Sequence, residues 1–167
     1  MIRTIWKDIQ PEEAGHAQCH EHIWLEKGAS CAVNPALCMD DHEKSLAELK
    51  DYHRAGGQLI VDAQPTGCGR NARMLAELSR ESGVFIVATS GFHKKEFFDD
   101  TALFSLPEDA LADLYSQEIE TGITDSGQDS SLYRAGILKA AADQDWQEDP
   151  VYRKLFEAVA QAAVRTG

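Results

Sequence analysis

No apolar run in the sequence approaches the roughly 20 residues that a membrane-spanning helix needs. Positive charge is also scarce: 16 Lys and Arg stand against 28 Asp and Glu, a formal net charge of −12. That balance opposes non-specific binding to nucleic acid or an anionic membrane, while a local basic patch could still serve an anionic small molecule. The opening MIRTIWKDIQPEE lacks the basic-then-apolar layout of a secretory signal, so a cytoplasmic location is expected. Cysteine is limited to Cys19, Cys31, Cys38 and Cys68, with no CxxC pair and no zinc-finger spacing. Without a signal, reduced thiols are the expected state, with Cys19 packing beside its strand. DAQPTGCGR has Gly67 and Gly69 but lacks the third glycine of a dinucleotide fingerprint, which weighs against a nucleotide-binding sheet.

What is present reads as one globular domain over residues 1–167, because 43% hydrophobic and 26% charged residues are ordinary for such a chain. Strand and helix patterns alternate. After a strand at GHAQCHEHIWL, DDHEKSLAELKDYHRAGG has Leu46, Leu49 and Tyr52 or His53 at helical spacing. Asp40 or Asp41 can cap that helix, and Gly56–Gly57 stop it. GQLIVDA is a second strand, followed by a helix with Met74, Leu75 and Leu78 on one stripe and Gly83 as terminator. VFIVATSG is a third strand, and Pro107 opens a helix whose inner face carries Leu111, Leu114, Tyr115 and Ile119. AGILKAA is the fourth strand, and Asp149–Pro150 begin a closing helix that buries Leu155, Phe156 and Val159. Four βα units with strands buried on both faces argue for a parallel α/β sheet, and fit a barrel or a doubly wound sheet equally.

Two places ask for chemistry. His20 and His22 are two apart in a strand pattern, so both imidazoles face one way, and paired neutral imidazoles are half of a metal site. Strand-end histidines with ordinary hydrogen bonds fit an isolated HxH equally well. Lys139 lies in or at the end of an apolar strand, where an ammonium is costly unless it is paired or its pKa falls. It either snorkels to the open end of the sheet or pairs with a carboxylate, or it serves as a neutral amine. Such an amine can act as a nucleophile or take up carbon dioxide to become an anionic carbamate with two oxygens.

These stretches together, GHAQCHEHIWL, GGQLIVDAQPTGCGRNARMLAELSRESGVFIVATSGF, EIETGITDSG and RAGILKAA, resemble the phosphotriesterase-like family of the amidohydrolase superfamily. The resemblance runs in order from about residue 10 to the end. It implies a (β/α)8 TIM-type barrel, of which the chain carries about the first four βα units, with two divalent metals, usually zinc, at the C-terminal mouth. By matching motif, His20 and His22 are ligands of the more buried metal, and Lys139, carbamylated by carbon dioxide, bridges both. The implied reaction is hydrolysis of an ester or lactone by a metal-bridging hydroxide. The remaining ligands, two histidines and the aspartate that handles the proton, are expected on strands beyond residue 167. His42 and His53 fall in the first helix pattern and do not replace them.

His93, Lys94 and Lys95 follow the third strand in SGFHKKEFF, where barrel loops build the mouth. They are candidate substrate-binding residues for an anionic group, against a reading as a solvated charge run balanced by Glu96, Asp99 and Asp100. Family lactonases often carry an aromatic at the position of His93, so the resemblance favours a phosphorylated sugar lactone over a simple acyl lactone. A half-barrel leaves two sheet edges open, so either a C-terminal half or homo-oligomerisation is expected. A non-catalytic, self-associating half-barrel is the alternative function.

Overall fold

Apolar, β-branched runs become strands, and the capped amphipathic stretches between them become helices. The computed structural model of the chain describes residues 1–125, 132–144 and 146–167, so the last two residues of EIETGITDSG lie outside the described residues. The elements are β1 (Ile2–Arg3), β2 (Asp8–Ile9), β3 (His16–Glu21), α1 (Ala29–Val33), α2 (His42–Arg54), β4 (Gly57–Asp62) and α3 (Ala72–Ser82). They continue with β5 (Phe85–Phe92), α4 (Glu108–Glu120), β6 (Ala135–Ala140) and α5 (Pro150–Thr166). β3, β4, β5 and β6 lie side by side in that order, all parallel. These are the four strands read from the sequence. Each returns through a helix, as parallel neighbours require.

The helix boundaries follow from single side chains. Asp41 Oδ1 accepts from the Lys44 amide, Asn71 Oδ1 from Met74, and Asp149 Oδ1 from Val151, each satisfying an amide that the first helical turn leaves free. Pro107 is the N-cap of α4, and Gly83 ends α3 at φ 79°, a left-handed conformation that glycine adopts without a Cβ penalty. One face of the sheet buries Ile60, Ile86 and Ala88 against Leu46, Leu49, Leu75 and Leu78 of α2 and α3. Further along, Phe92 packs with Leu111, Tyr115, Tyr152 and Leu155 of α4 and α5. Phe156 and Val159, expected to be buried, are partly buried on the rim of that cluster. The opposite face holds Leu59 and Val87, covered at one end by Ile9 and Ala14.

That cover is the β1–β2 hairpin, which the sequence pattern misses because strands of two residues carry no periodicity. It is tied on by Ile5 N–H donating to the Ile86 carbonyl (2.7 Å) and Arg3 Nη1 donating to the Ile119 carbonyl (2.7 Å). Both ties lie at the N-terminal end of the sheet and leave its C-terminal end open.

Three expectations need correction. Burial on both faces holds for β5 but not for the outer strands: β3 is exposed from His16 to His20, and Ile137 of β6 is 43% exposed. Each outer strand has a neighbour on one side only. Cys19 is accordingly exposed rather than packed. Nor are all four thiols reduced, because Cys31 and Cys38 form a disulfide with Cα atoms 4.7 Å apart. A 3-10 turn at Pro35–Leu37, capped by Asn34 Oδ1 accepting from the Ala36 amide, folds the chain back and brings the two cysteines together. Among the described residues no helix is long and apolar enough to cross a membrane.

Candidate functional site

The C-terminal ends of the four parallel strands carry the polar side chains that the core does not use. His20 is the fifth residue of β3 and His22 follows its end, and their rings lie edge to face with centroids 5.7 Å apart. The period-two geometry thus delivers both imidazoles to one side. Asp62, at the end of β4, fixes the chain there: its Oδ2 accepts from the Ile23 amide (2.7 Å) and its Oδ1 from the Gln64 amide (3.0 Å). Burial pushes the Asp62 carboxyl up to about 6, partly offset by those amides and by Arg70.

Lys139 joins the histidines from the other edge. It pairs in register with Gly91 of β5, and its Nζ donates to the Ala63 carbonyl at the end of β4 (2.7 Å). Burial lowers its pKa, with opposing contributions from Cys68 and Asp62. Gly91 has φ 100°, and a Cβ on it would overlap the Lys139 carbonyl oxygen. Gly91→Ala is therefore expected to cost about 1–3 kcal/mol from the backbone alone. A urea midpoint equal to that of the parent would show that this close approach is not required.

His93 is the third imidazole on this side. Phe92 before it is buried against Phe156, their ring centroids 5.0 Å apart, so strand alternation turns His93 the other way. Its ring centroid lies 6.4 Å from that of His22 and 4.6 Å from that of Phe97. His93 Nδ1 accepts from the Lys94 amide (2.7 Å), which leaves the proton of the neutral ring on Nε2. Burial and the nearby Lys139 charge lower His22 to about 4 and His93 to about 3, so both are neutral at pH 7. Gln64 opposes this at His22, yet the Gln64 amide is engaged by the Cys68 carbonyl and His22 Nδ1 is buried without a hydrogen-bond partner.

Lys94 and Lys95 do not join His93 in one cluster. Lys94 Nζ lies 3.4 Å from Asp143, while Lys95 pairs with Asp149 and sits 5.2 Å from the Tyr152 ring centroid. Each keeps about 38% of its side chain exposed, so their charge is countered but accessible.

The donor set fits a divalent metal in part. The imidazoles of His20 and His22, the latter held neutral and with an orphaned buried nitrogen, are suitable ligand types. An ammonium is not, so Lys139 would have to lose its proton before it could serve as one. Among the described residues no three of His, Cys, Asp and Glu are placed to hold an ion.

The sequence reading missed the support beneath it. Arg70, fully buried, donates from Nη2 to Glu118 Oε1 (2.5 Å) and Asp125 Oδ1 (2.8 Å), and from Nη1 to the Thr89 carbonyl (2.6 Å). Thr66 and Ser90 hydroxyls donate to Glu118 Oε2, each at 2.6 Å, and the Ala72 amide donates to Asp125 Oδ2 (3.0 Å). Burial alone would lower the Arg70 pKa, but Glu118 and Asp125 more than reverse this and keep it cationic. The network joins the loop after β4, strand β5, helix α4 and the approach to β6. A charged residue within DAQPTGCGR was the available signal, and the reading for glycines passed over it.

Comparison with known proteins shows the family and the fold. Residues 1–167 match the model of the Phosphotriesterase family. A phospho-furanose lactonase of Mycoplasmopsis agalactiae is 28% identical over 175 residues, covering 99% of this chain and 49% of that protein. Among solved structures, a lactonase of Listeria monocytogenes superposes with a TM-score of 0.84 at 31% identity, covering 98% of this chain and 54% of that one. An amidohydrolase of Mycoplasma synoviae gives a TM-score of 0.87 at 26% identity, covering 98% and 49%. The chain spans about half the length of the relatives it matches. Its four βα units are accordingly a partial (β/α)8 barrel.

Proposed function

This chain belongs to the phosphotriesterase family, and from that premise we propose that it forms the N-terminal half of a metal-dependent hydrolase acting on an ester or lactone. The observation that carries the reading is the convergence of His20, His22 and Lys139 from the two edges of the sheet onto one open mouth. In this reading His20 and His22 would hold one divalent metal, zinc being the one to test first. Lys139, once carbamylated, would add two carboxylate oxygens as further ligands. Bound metals would supply Lewis-acid activation of water and of the scissile carbonyl or phosphoryl oxygen.

The chain's own residues prepare that chemistry. Burial lowers the Lys139 pKa and so raises its fraction of free amine, the form that adds carbon dioxide and releases one proton. The Asp62 carboxyl, through the Ile23 and Gln64 amides, keeps the end of β3 against β4 and so orients His22. The His93 Nε2 proton is available to donate to a substrate oxygen. Lys94 and Lys95 stand outside it as partners for an anionic group. A phosphorylated sugar lactone suits this arrangement, and the relative named phospho-furanose lactonase supports that choice. The acid–base aspartate would come from the remaining strands.

Completion of the barrel tests the reading. Purified 167-residue protein with zinc and bicarbonate is expected to bind metal weakly and to hydrolyse lactones negligibly, since a catalytic zinc needs about three protein ligands. Adding a C-terminal half should raise the content to two metals per site and restore turnover, and His20→Ala should abolish both. Two tight metals and full turnover in the short chain alone would overturn the half-site. The exposed outer strands also favour a second reading, self-association without catalysis. A stable oligomer that stays inactive when the C-terminal half is supplied would select it.

A further inference from the structure

The loop between β3 and α2 borders the cavity beside His22; its first part, Ala29–Val33, lies against the turn at Lys95–Phe97, and its second part, residues 34–38, is tied back to the first by one covalent bond. Among the described residues the hydrogen bonds of residues 30–38 all close within segment 28–38, for example Ala32 N–H to the Gly28 carbonyl and Cys38 N–H to that of Pro35. Its flanks are anchored: the Ala29 amide donates to Asp99 Oδ1 (2.6 Å), and the Leu25 amide donates to the Met39 carbonyl (3.1 Å). Between the anchors the segment is largely exposed, Val33 at 47%, with Ser30 its one buried side chain. The Cys31–Cys38 disulfide spans that stretch. Cys38 is exposed and lines a cavity of about 330 Å³ together with His22, Met39, Lys44 and Glu48.

We propose that the Cys31–Cys38 disulfide is a redox-operated clasp on the loop that borders the His22 cavity through Cys38, opened by a dithiol reductant. A thiolate of the reductant attacks the exposed Cys38 sulfur, the S–S bond breaks, and Cys31 leaves as a thiolate that takes up a proton. The second thiol of the reductant then displaces Cys38, which is protonated in turn. The protein gains two electrons and two protons, and the dithiol becomes its own disulfide. Closing so short a loop restricts its open states on the order of fiftyfold, and reduction returns that freedom to the segment. The loop movement stands on its own; only the identity of the His22 cavity as part of a hydrolase site rests on the proposed function.

The test uses the 167-residue chain before and after treatment with dithiothreitol, with Cys31→Ser/Cys38→Ser as a permanently open variant. Alkylation and intact mass should show one disulfide before treatment and none after. Amide exchange across residues 29–39 should accelerate on the order of ten- to fiftyfold, while exchange across α3 (72–82) stays unchanged. Carbethoxylation of His22 by diethyl pyrocarbonate should quicken several-fold on the same samples. No disulfide before reduction, or equal exchange in the two states, would overturn the clasp. Faster exchange over α3 as well would overturn it differently, by showing a cross-link that stabilises the whole chain. None of these readouts requires a bound metal, so failure of the metal reading leaves the result interpretable.

Discussion

Lys139→Ala in the completed barrel is expected to reduce bound metal from two per site to one at most, and to lower turnover by more than about a hundredfold. Loss of a group that merely orients a metal ligand costs roughly 10–100-fold, and removal of a ligand shared by two metals should exceed that. The position makes the substitution informative. Lys139 donates to the Ala63 carbonyl through Nζ and belongs to none of the apolar clusters, so truncation removes that hydrogen bond and leaves the core packing in place. The fold should survive, and circular dichroism should be unchanged. Metal content by atomic absorption and lactone turnover, measured on the same preparation, decide the matter. Two retained metals with near-parent turnover would remove Lys139 from the site.

Arg70→Ala is expected to produce the largest loss of stability of any single polar substitution in this chain, about 3–5 kcal/mol. The guanidinium and the Glu118 carboxylate have no exposed side-chain surface, and Asp125 has little. Removing the cation leaves two carboxylates close together with only Thr66, Ser90 and the Ala72 amide to satisfy them. That uncompensated buried charge causes the loss, more than the missing attraction does. For a chain of this size the melting temperature should fall on the order of 10 °C. Pairing Arg70→Met with Glu118→Leu should recover much of the loss, because apolar replacement of a whole buried pair is often tolerated. A loss below about 1 kcal/mol for Arg70→Ala would show that water reaches the cluster and satisfies it.

The sequence by itself determined the local elements and half of the chemistry. Period-two spacing put His20 and His22 on one side, and Asp40 or Asp41, Gly83 and Asp149 marked helix ends because their side chains or φ preference satisfy particular orphan groups, Asp41 being the cap in the structure. Apolar runs in β4 and β5 announced buried parallel strands, since a strand covered on both faces needs no polar alternation. Other features depended on contacts between residues far apart in the chain, which no local pattern encodes. Lys139 meets the carbonyl of Ala63, 76 positions away, only because β6 lies two strands from β4 in the sheet. Arg70 finds Glu118 and Asp125 because α4 crosses behind β5, and a lone arginine in a glycine-rich loop gives no hint of that. Lys94 and Lys95 read as one basic cluster with His93, yet strand alternation sends His93 inward while Asp143 and Asp149 claim the lysines from another loop. The exposure of β3 and the pairing of Cys31 with Cys38 likewise follow from neighbours: the first from a strand with only one, the second from a turn that makes two cysteines adjacent.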